Sequence, residues 1–529
     1  MPRKIRLLLR LAASGMFPLA AFLCGSPTTT LDLDRGDYVT FTARTAPGVP
    51  RELQLAGPQH EHIRTFAWEG GPKTFGFVAE ASGTYTLGFA APEPPAELAV
   101  GAIVPPAQQP TPDRCAVDLQ SPRLQALRDA VEAGNATAEA AFWQAVAQQG
   151  APLIEPKDEA HVWVTFLWHG DAQTRSVFLN WPVFSPRKED NLFQQLPGTN
   201  VWYYTAEMPR GLRMTYKLAP NAPFGPGSTR QELRRAILAV TQADPLNPHR
   251  WPSAAALDRF EAHSCIDLTG AAPMWEQTDV PAGKLQTHWF ESQLLGNRRD
   301  ITLYTPAQAP EGGPEMPLLI VFDADRYLEQ IPGPAILDHL IAEGQIPPTI
   351  AVFVSNPTSQ SRSEELPANP VFAESLATEL LPWLEHYCTF TDDPQQRVLA
   401  GASYGGLAAS SVAFFQPAAF GAVLSQSGSY WWAPEGAEGP AGAESEPAWL
   451  NRQFAASDHR LIRFYLEAGT LETASDIRPT NRALRDILHA KGYDVTYREF
   501  AGGHDDYAWQ FGFAQGLVAL LGEAATAAD

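Results

Sequence analysis

The stretch RVLAGASYGGLAAS at 397–410 constrains this chain more than any other. RVLAGAS reads as a short apolar strand ending in small residues, and LAASSVAFFQ after it reads as a helix. Between them, Gly401-Ala402-Ser403-Tyr404-Gly405 fits G-x-S-x-G, a turn that projects a serine beyond a sheet edge near a helix N-terminus. The turn asks for small residues at 401 and 405, where larger side chains would meet strand or helix. It also asks for a particular sheet around it. PLLIVFD, TIAVFVS, AVLSQS, IRFYLEAG and VTYREFAG are further short apolar runs, with helical stretches between several of them. Such alternation implies a doubly wound, mainly parallel sheet covered on both faces, expected over 276–529.

Upstream, the pattern differs. DYVTFTAR, ELQLAG, TFGFVAEA and GTYTLGFA alternate apolar and polar residues between Gly/Pro turns, so 31–105 is expected to be a small β-sandwich-like domain. Its His60-Glu61-His62 reads as a solvated loop rather than a metal site. A proline-rich linker, APEPPAELAVGAIVPPAQQPTPDRC, follows. Residues 116–275 then mix two helical segments with strands such as HVWVTFLWHG, TNVWYYTAEMP and GLRMTYKLAP, an α+β or sandwich-like domain. Core packing is the default expectation for the aromatics of these strands.

The first 26 residues place Arg3, Lys4 and Arg6 before an apolar stretch and then small residues, the layout of a secretory signal. The run is too short and interrupted for a stable membrane span. Cys24 stands where a lipoprotein site could lie, but Leu23 is larger than such sites favour. A periplasmic or secreted location follows, with a cytoplasmic one as the alternative. An oxidising compartment permits a Cys115–Cys265 disulfide, which would contribute about 4–5 kcal/mol in the chain-entropy model. The other reading leaves Cys115, Cys265 and Cys388 reduced and buried. A net charge of −21 argues against a nucleic-acid partner, since phosphate recognition needs a basic footprint. An anionic ligand would need local arginines to reverse that field.

Two features give Ser403 a chemical setting. VTYREF runs into AGGHDDYAWQ, placing His504 in the loop after the last strand. IRFYLEAG ends at GTLETASD, so an acid follows the preceding strand: Glu472 first, Asp476 as the fallback. Ser, then Asp/Glu, then His is the chain order of a nucleophile-elbow triad, in which the acid orients the imidazole and the amide of Tyr404 can meet an oxyanion. These pieces imply a serine ester hydrolase on an α/β-hydrolase unit.

GASYGG, SQSGSYWW, LEAGTLE and GGHDDYAW, with SRSEELPANPVFAESLATELLPW upstream, resemble the enterochelin esterase branch of the esterase D-like hydrolases. VTFLW, TNVWYYTAEMPRGLRMTYKL and ADPLNP resemble that family's N-terminal domain, so the likeness covers about 116–525. The resemblance implies an enzyme that hydrolyses the ester bonds of ferric catecholate siderophores. It assigns Ser403 as nucleophile, His504 as base and Glu472 as acid. It places a second oxyanion donor after PLLIVFD, at Ala324 or Asp325, where the family's Asp-Gly is here Asp323-Ala324. Arg362 would face the substrate, directly or by pairing with a carboxylate. Trp431, Trp432, Trp202, Arg210 and Arg213 are further candidates, because arginine and aromatic faces suit an anionic, aromatic ligand. The apparent export signal and the added β domain depart from the usual layout.

No C-x-x-C, H-E-x-x-H or P-loop pattern is present, so no metal site or cofactor is expected, and iron would enter only within the substrate. Oligomeric state is left open. Two alternatives stand beside the siderophore reading: a general secreted carboxylesterase, and a siderophore-binding protein without catalysis.

Overall fold

In a computed structural model of the chain, the described residues are 28–89, 96–112, 118–183, 188–225, 227–252, 258–270, 273–277, 279–307, 315–434, 448–472 and 476–522. The expected signal segment with Cys24, and Cys115 with its expected disulfide, lie outside them. The described residues form two compact units: one drawn from Met1–Trp181, Ser185–Arg210 and Thr215–Ile266, the other from Pro182–Phe184, Gly211–Met214 and Asp267–Asp529.

The first unit begins with seven strands: β1 (Thr28–Leu33), β2 (Tyr38–Arg44), β3 (Pro47–Ala56), β4 (His62–Gly70), β5 (Lys73–Val78), β6 (Gly83–Phe89) and β7 (Glu97–Val104). They make two sheets, ordered β1-β6-β3-β4 and β5-β2-β7. Alternation in YVTFTAR turns Val39, Phe41 and Ala43 inward, and Phe41 meets Phe66 of the other sheet edge-on at 5.1 Å. That contact across two sheets is a sandwich core. Helices Pro122–Glu132 and Ala138–Gln149 follow, then β8 (Leu153–Pro156), β9 (His161–His169), β10 (Val177–Asn180), β11 (Gln194–Gln195), β12 (Val201–Pro209), β13 (Arg213–Pro220), β14 (Arg250–Trp251) and β15 (His263–Asp267). These strands form sheets ordered β11-β12-β9-β8 and β10-β13-β15-β14.

The second unit is built on one sheet of β16 (Lys284–Ser292), β17 (Asn297–Thr305), β18 (Leu318–Phe322), β19 (Ile350–Val354), β20 (Arg397–Ala402), β21 (Ala422–Gln426), β22 (Arg463–Gly469) and β23 (Asp494–Phe500). Its order is β16-β17-β19-β18-β20-β21-β22-β23. β16 and β17 pair antiparallel, as do β17 and β19; the other neighbours run parallel. LLIVF, IAVFV, RVLAGA and AVLSQ are buried at every position, which is why they read as unbroken apolar runs. Each large apolar side chain so buried contributes about 1.5–3 kcal/mol. β16 and β17 extend the sheet beyond the strands expected from the sequence. KLQTHWFES is an edge strand with most positions exposed, so it carries no apolar run to find.

This order places β20 between β18 and β21. The turn after β20 therefore emerges mid-sheet, flanked by the loop after β18 on one side and those after β21, β22 and β23 on the other. Cys388 is a partly buried free thiol just past the helix Leu381–Leu384 rather than within a helix, and burial pushes it up to about 11.

Candidate active site

The chain leaves β20 at Ala402 and turns at Ser403 with φ 59° and ψ −120° before entering the helix Tyr404–Phe415. A residue with a side chain is strained there by on the order of 1–3 kcal/mol, so its surroundings must hold it. Ser403 N–H donates to the Gln426 carbonyl at 2.9 Å, and the Ser403 carbonyl accepts from Leu407 and Ser429 N–H, each at 3.1 Å. A Cβ at Gly401 would stand 2.5 Å from the Gly405 carbonyl carbon, so glycine at 401 is a steric requirement. Position 405 is roomier than its place in the motif predicts, with nothing nearer to a new Cβ than Asp323 Oδ2 at 3.4 Å. Gly406 is the tighter of the two: a Cβ there would lie 2.6 Å from Ser425 Oγ and 3.1 Å from Gly428 Cα. The Ser403 side chain does not cap the helix; its Oγ lies 3.3 Å from Ser429 Oγ. The amide of Tyr404 is one of the first-turn N–H groups that an α-helix leaves without an intrahelical acceptor.

Glu472 follows β22 and His504 follows β23, at the same edge of the sheet as Ser403. His504 Nδ1 and Glu472 Oε1 are 2.6 Å apart. Glu472 is fully buried, and its other oxygen accepts from Gly469 N–H at 2.6 Å and Ser427 Oγ at 3.0 Å. The Ser427 hydroxyl in turn accepts from Trp509 Nε1 at 3.0 Å, and the Trp509 ring stands edge-on to the His504 imidazole at 4.7 Å. The imidazole is thus held at Nδ1 and by an aromatic neighbour. A proton on Nδ1 leaves Nε2 as the basic nitrogen. Of the two candidate acids, Glu472 is the one at the histidine. Asp476 begins the helix Ile477–Ala490 at φ 55°, its carbonyl receiving Thr480 N–H at 3.1 Å. Beneath the turn, fully buried Glu467 accepts from Gln426 Nε2 at 2.7 Å; burial pushes its carboxyl up to about 7 against that bond.

On the other flank, Asp323 follows β18 with φ 59°. Arg362 grips it with two 2.7 Å bonds, Nε to Oδ1 and Nη2 to Oδ2, and Asn356 Nδ2 donates to Oδ1 at 2.5 Å. The left-handed conformation falls on Asp323, so Ala324 needs no glycine-like freedom, and it is buried at 2% exposure. Arg362 therefore meets the carboxylate of the two options the sequence left. Burial alone would lower it, but the bond to Asp323 outweighs that and holds the guanidinium above its ordinary value. The guanidinium lies 5.6 Å from the Tyr404 ring centre, and Trp431 leans on Tyr404 at 6.0 Å. Trp432 packs against the hydrophobic core and meets Trp449 edge-on at 6.3 Å. Arg326 was not foreseen: it pairs with Asp506, and its guanidinium lies 5.0 Å from the Trp509 ring. Asp325 precedes it in DADR, directly after the β18 strand, which is where a signal for it lay.

Of the remaining candidates for ligand contact, Trp202 and Arg210 belong to the first unit and Arg213 to the second, where its N–H donates to the Ala501 carbonyl at 3.0 Å in the loop that carries His504. Trp202 is 1% exposed within the first unit, so the expected substrate contact is corrected to core packing. Val201, Trp202 and Tyr203 are all buried, so both faces of β12 are covered here. Arg210, exposed in that unit, donates from Nε and Nη2 to the Asp158 carbonyl at 3.2 and 2.8 Å. Arg213 is held within the second unit by Asp267 at 2.9 Å, Thr269 at 2.5 Å and the Phe511 ring at 3.6 Å. Asp158, His161 and Glu207 cluster closely enough to hold a metal ion, a grouping the spacing did not reveal. The Lys157 ammonium already pairs with Glu207 and stands 3.9 Å from Asp158, supplying a cation of its own.

Two family models match the chain: "Enterochelin esterase, N-terminal" over residues 163–277 and "Putative esterase" over 292–520. The iron(III) enterobactin esterase of Dickeya dadantii is 32% identical over 408 residues, covering 72% of this chain and 93% of that protein. The Escherichia coli K12 enzyme of the same name is 32% identical over 376 residues, covering 68% and 90%. Among solved structures, the ferric enterobactin esterase of Salmonella typhimurium superposes with a TM-score of 0.60 at 28% identity, covering 72% of this chain and 98% of that one. The Shigella flexneri enterobactin esterase, solved in the presence of enterobactin, gives 0.58 at 28% identity, covering 72% and 97%. Strands β1 to β7 lie outside both family models. With a serine at a strained strand–helix turn, a carboxylate–imidazole pair at the same sheet edge and relatives of this length and identity, the chain belongs to the enterochelin esterase family.

Proposed function

We propose that this chain is a serine esterase that hydrolyses the ester bonds of catecholate siderophores, ferric enterobactin-type trilactones among them, so that iron is released from the opened ligand. The observation that carries the reading is the Glu472–His504 bond at the sheet edge from which Ser403 also emerges, in a chain whose relatives are named for enterobactin hydrolysis. Ser403 Oγ attacks the ester carbonyl while His504 Nε2 takes its proton. Buried Glu472 stabilises the imidazolium. The oxyanion that forms is met by the Tyr404 amide and by the backbone N–H of Ala324 or Asp325. His504 returns the proton to the departing seryl hydroxyl, leaving an acyl-enzyme, and a water deprotonated by His504 then releases the acid. No cofactor of the protein's own takes part, and iron arrives as cargo. Trp431 and Arg362 border the acyl site, with Arg362 fixing the Asp323 turn that presents the second oxyanion donor.

Incubation with ferric and iron-free enterobactin, followed by mass spectrometry, is the test. Linear dihydroxybenzoyl-serine products are expected. Intact lactone alongside brisk turnover of a p-nitrophenyl ester would move the general carboxylesterase reading ahead. Arg362→Ala should lower kcat for both substrates by about 10–100-fold, the cost of misplacing one oxyanion donor, with KM for the neutral ester little changed. Arg362→Lys should not rescue it, because an ammonium cannot bind both Asp323 oxygens in parallel. A rise in KM confined to the ferric lactone would show that Arg362 acts on the ligand instead.

We further propose that residues 1–26 direct export to the periplasm. No helix among the described residues is long and apolar enough to cross a membrane. N-terminal sequencing of the periplasmic protein decides it: a start at Met1 sinks the proposal.

A further inference from the structure

Within the first unit, the small β-sandwich and the strands and helices that follow it line a partly open cavity of about 620 Å³, large enough for a drug-sized molecule. Its wall carries four arginines, Arg35, Arg64, Arg175 and Arg259, against two carboxylates, Glu80 and Asp171, in a chain of net charge −21. The two carboxylates are engaged. Asp171 pairs with Arg35 at 2.8 Å, and Glu80 pairs with Arg259. Both pairs tie the sandwich to the rest of the unit, so the cavity depends on the added domain.

Arg64 is different. It donates through Nη1 alone, to the Leu238 and Ala239 carbonyls at 3.0 and 3.3 Å, and forms no ion pair among the described residues. Its Nε and Nη2 have no partner among those residues. That edge is the one with which Arg362 binds both oxygens of Asp323. A guanidinium edge of this kind matches a carboxylate in shape and charge. The Arg64 guanidinium lies 4.7 Å from the Phe260 ring, with Arg259 4.8 Å from the same ring, and Phe77 and Trp168 add aromatic wall.

We propose that this cavity binds a small aromatic carboxylate, its carboxyl group on the Nε/Nη2 edge of Arg64 and its ring against Phe77, Trp168 and Phe260. Neighbouring charges act in both directions, two carboxylates against the clustered cations Arg64 and Lys217. Burial pushes Arg64 down to about 10, with Asp258 and Glu261 opposing it, and pushes Lys217 down to about 8, helped by the charge of Arg64. An anion in the cavity relieves both. The proposal does not depend on the reaction at Ser403.

The test uses the full-length protein and 2-naphthoate, a fluorescent aromatic carboxylate, followed by its emission anisotropy. Its uncharged twin, 2-naphthylmethanol, is the competitor. One naphthoate should bind per chain, and the alcohol should compete at least about 10-fold less well, since it lacks the charged bonds. Arg64→Gln should weaken naphthoate binding by about 10–100-fold, the usual span for losing bonds to a charged group. Ala172→Trp should do the same by filling the cavity from an exposed wall position that a large side chain can occupy without disturbing the core. Arg362→Ala, at the other site, should leave binding unchanged. No binding at millimolar naphthoate, equal competition by the alcohol, binding untouched by Ala172→Trp, or binding lost in Arg362→Ala each overturns the proposal. If Arg64→Gln does not fold, Ala172→Trp and the alcohol decide it.

Discussion

Ser403→Ala is expected to lower kcat for a p-nitrophenyl ester by about 10⁴–10⁶-fold, the range found when one member of a serine–histidine pair is removed. The same change should abolish labelling by a fluorophosphonate, which in the parent protein should sit on Ser403 alone. The reason lies in the turn. Ser403 is held at φ 59° by backbone bonds to Gln426, Leu407 and Ser429, none of which involves its side chain. Alanine can occupy the turn with the same strain and the same bonds, so the fold should survive and only the attacking oxygen be lost. A melting temperature within a few degrees of the parent's checks that point. His504→Ala should fall by a comparable factor, because without the imidazole the hydroxyl keeps its proton. Labelling at another serine, with activity kept in Ser403→Ala, would falsify the assignment.

The parts of this site that were legible in the sequence are those fixed by local chain geometry. A strand ending in Gly-x-Ser-x-Gly and running into a helix dictates where Ser403 points, and strand order dictates that Glu472 and His504 follow at the same sheet edge. What holds these groups was not legible, because it comes from residues far apart in the chain. Arg362 and Asp323 are 39 positions apart, yet their bidentate pair fixes the turn after β18. Trp509, in the helix Asp506–Leu521, reaches Ser427 after β21, and Ser427 reaches Glu472 after β22. No spacing rule links such positions.

The glycine at 405 makes the converse point. The motif suggests that its smallness serves its own surroundings, whereas the close approach is that of Gly401 onto the Gly405 backbone. Aromatic strands misled for a related reason. TNVWYYTAEMP carries aromatic residues on both faces of its strand, and at Val201, Trp202 and Tyr203 both faces are covered, which the sequence alone does not show. The added β-sandwich was visible as alternating strands, but the arginine-walled cavity beneath it was not. Arg35, Arg64, Arg175 and Arg259 are scattered over 225 positions and converge only in three dimensions.

Glu472→Gln should lower kcat by about 10³–10⁴-fold with KM nearly unchanged, the size of effect seen when a triad carboxylate becomes an amide. The substitution keeps the volume and changes one atom's hydrogen bonding in a site that cannot tolerate it. Glu472 is fully buried and surrounded by donors: His504 Nδ1 at one oxygen, Gly469 N–H and the Ser427 hydroxyl at the other. A glutamine must turn its NH₂ toward one of these groups. Facing Gly469, it sets donor against donor in a buried place, at a cost of about 1–3 kcal/mol. Facing His504, it forces the imidazole to accept at Nδ1 and to carry its proton on Nε2. The nitrogen that should take the Ser403 proton is then already protonated. The first outcome mainly destabilises the protein and the second mainly stops the chemistry, so the melting temperature and kcat together tell which orientation wins. Neither leaves a negative charge to stabilise the imidazolium. Asp476→Asn, by contrast, should change kcat by less than about 2-fold, because its carboxylate is not at the imidazole and an exposed change of this kind is close to neutral. Should Glu472→Gln stay within about 10-fold of the parent while His504→Ala does not, well short of a triad acid's contribution, the carboxylate only packs against the histidine and the enzyme works as a serine–histidine dyad.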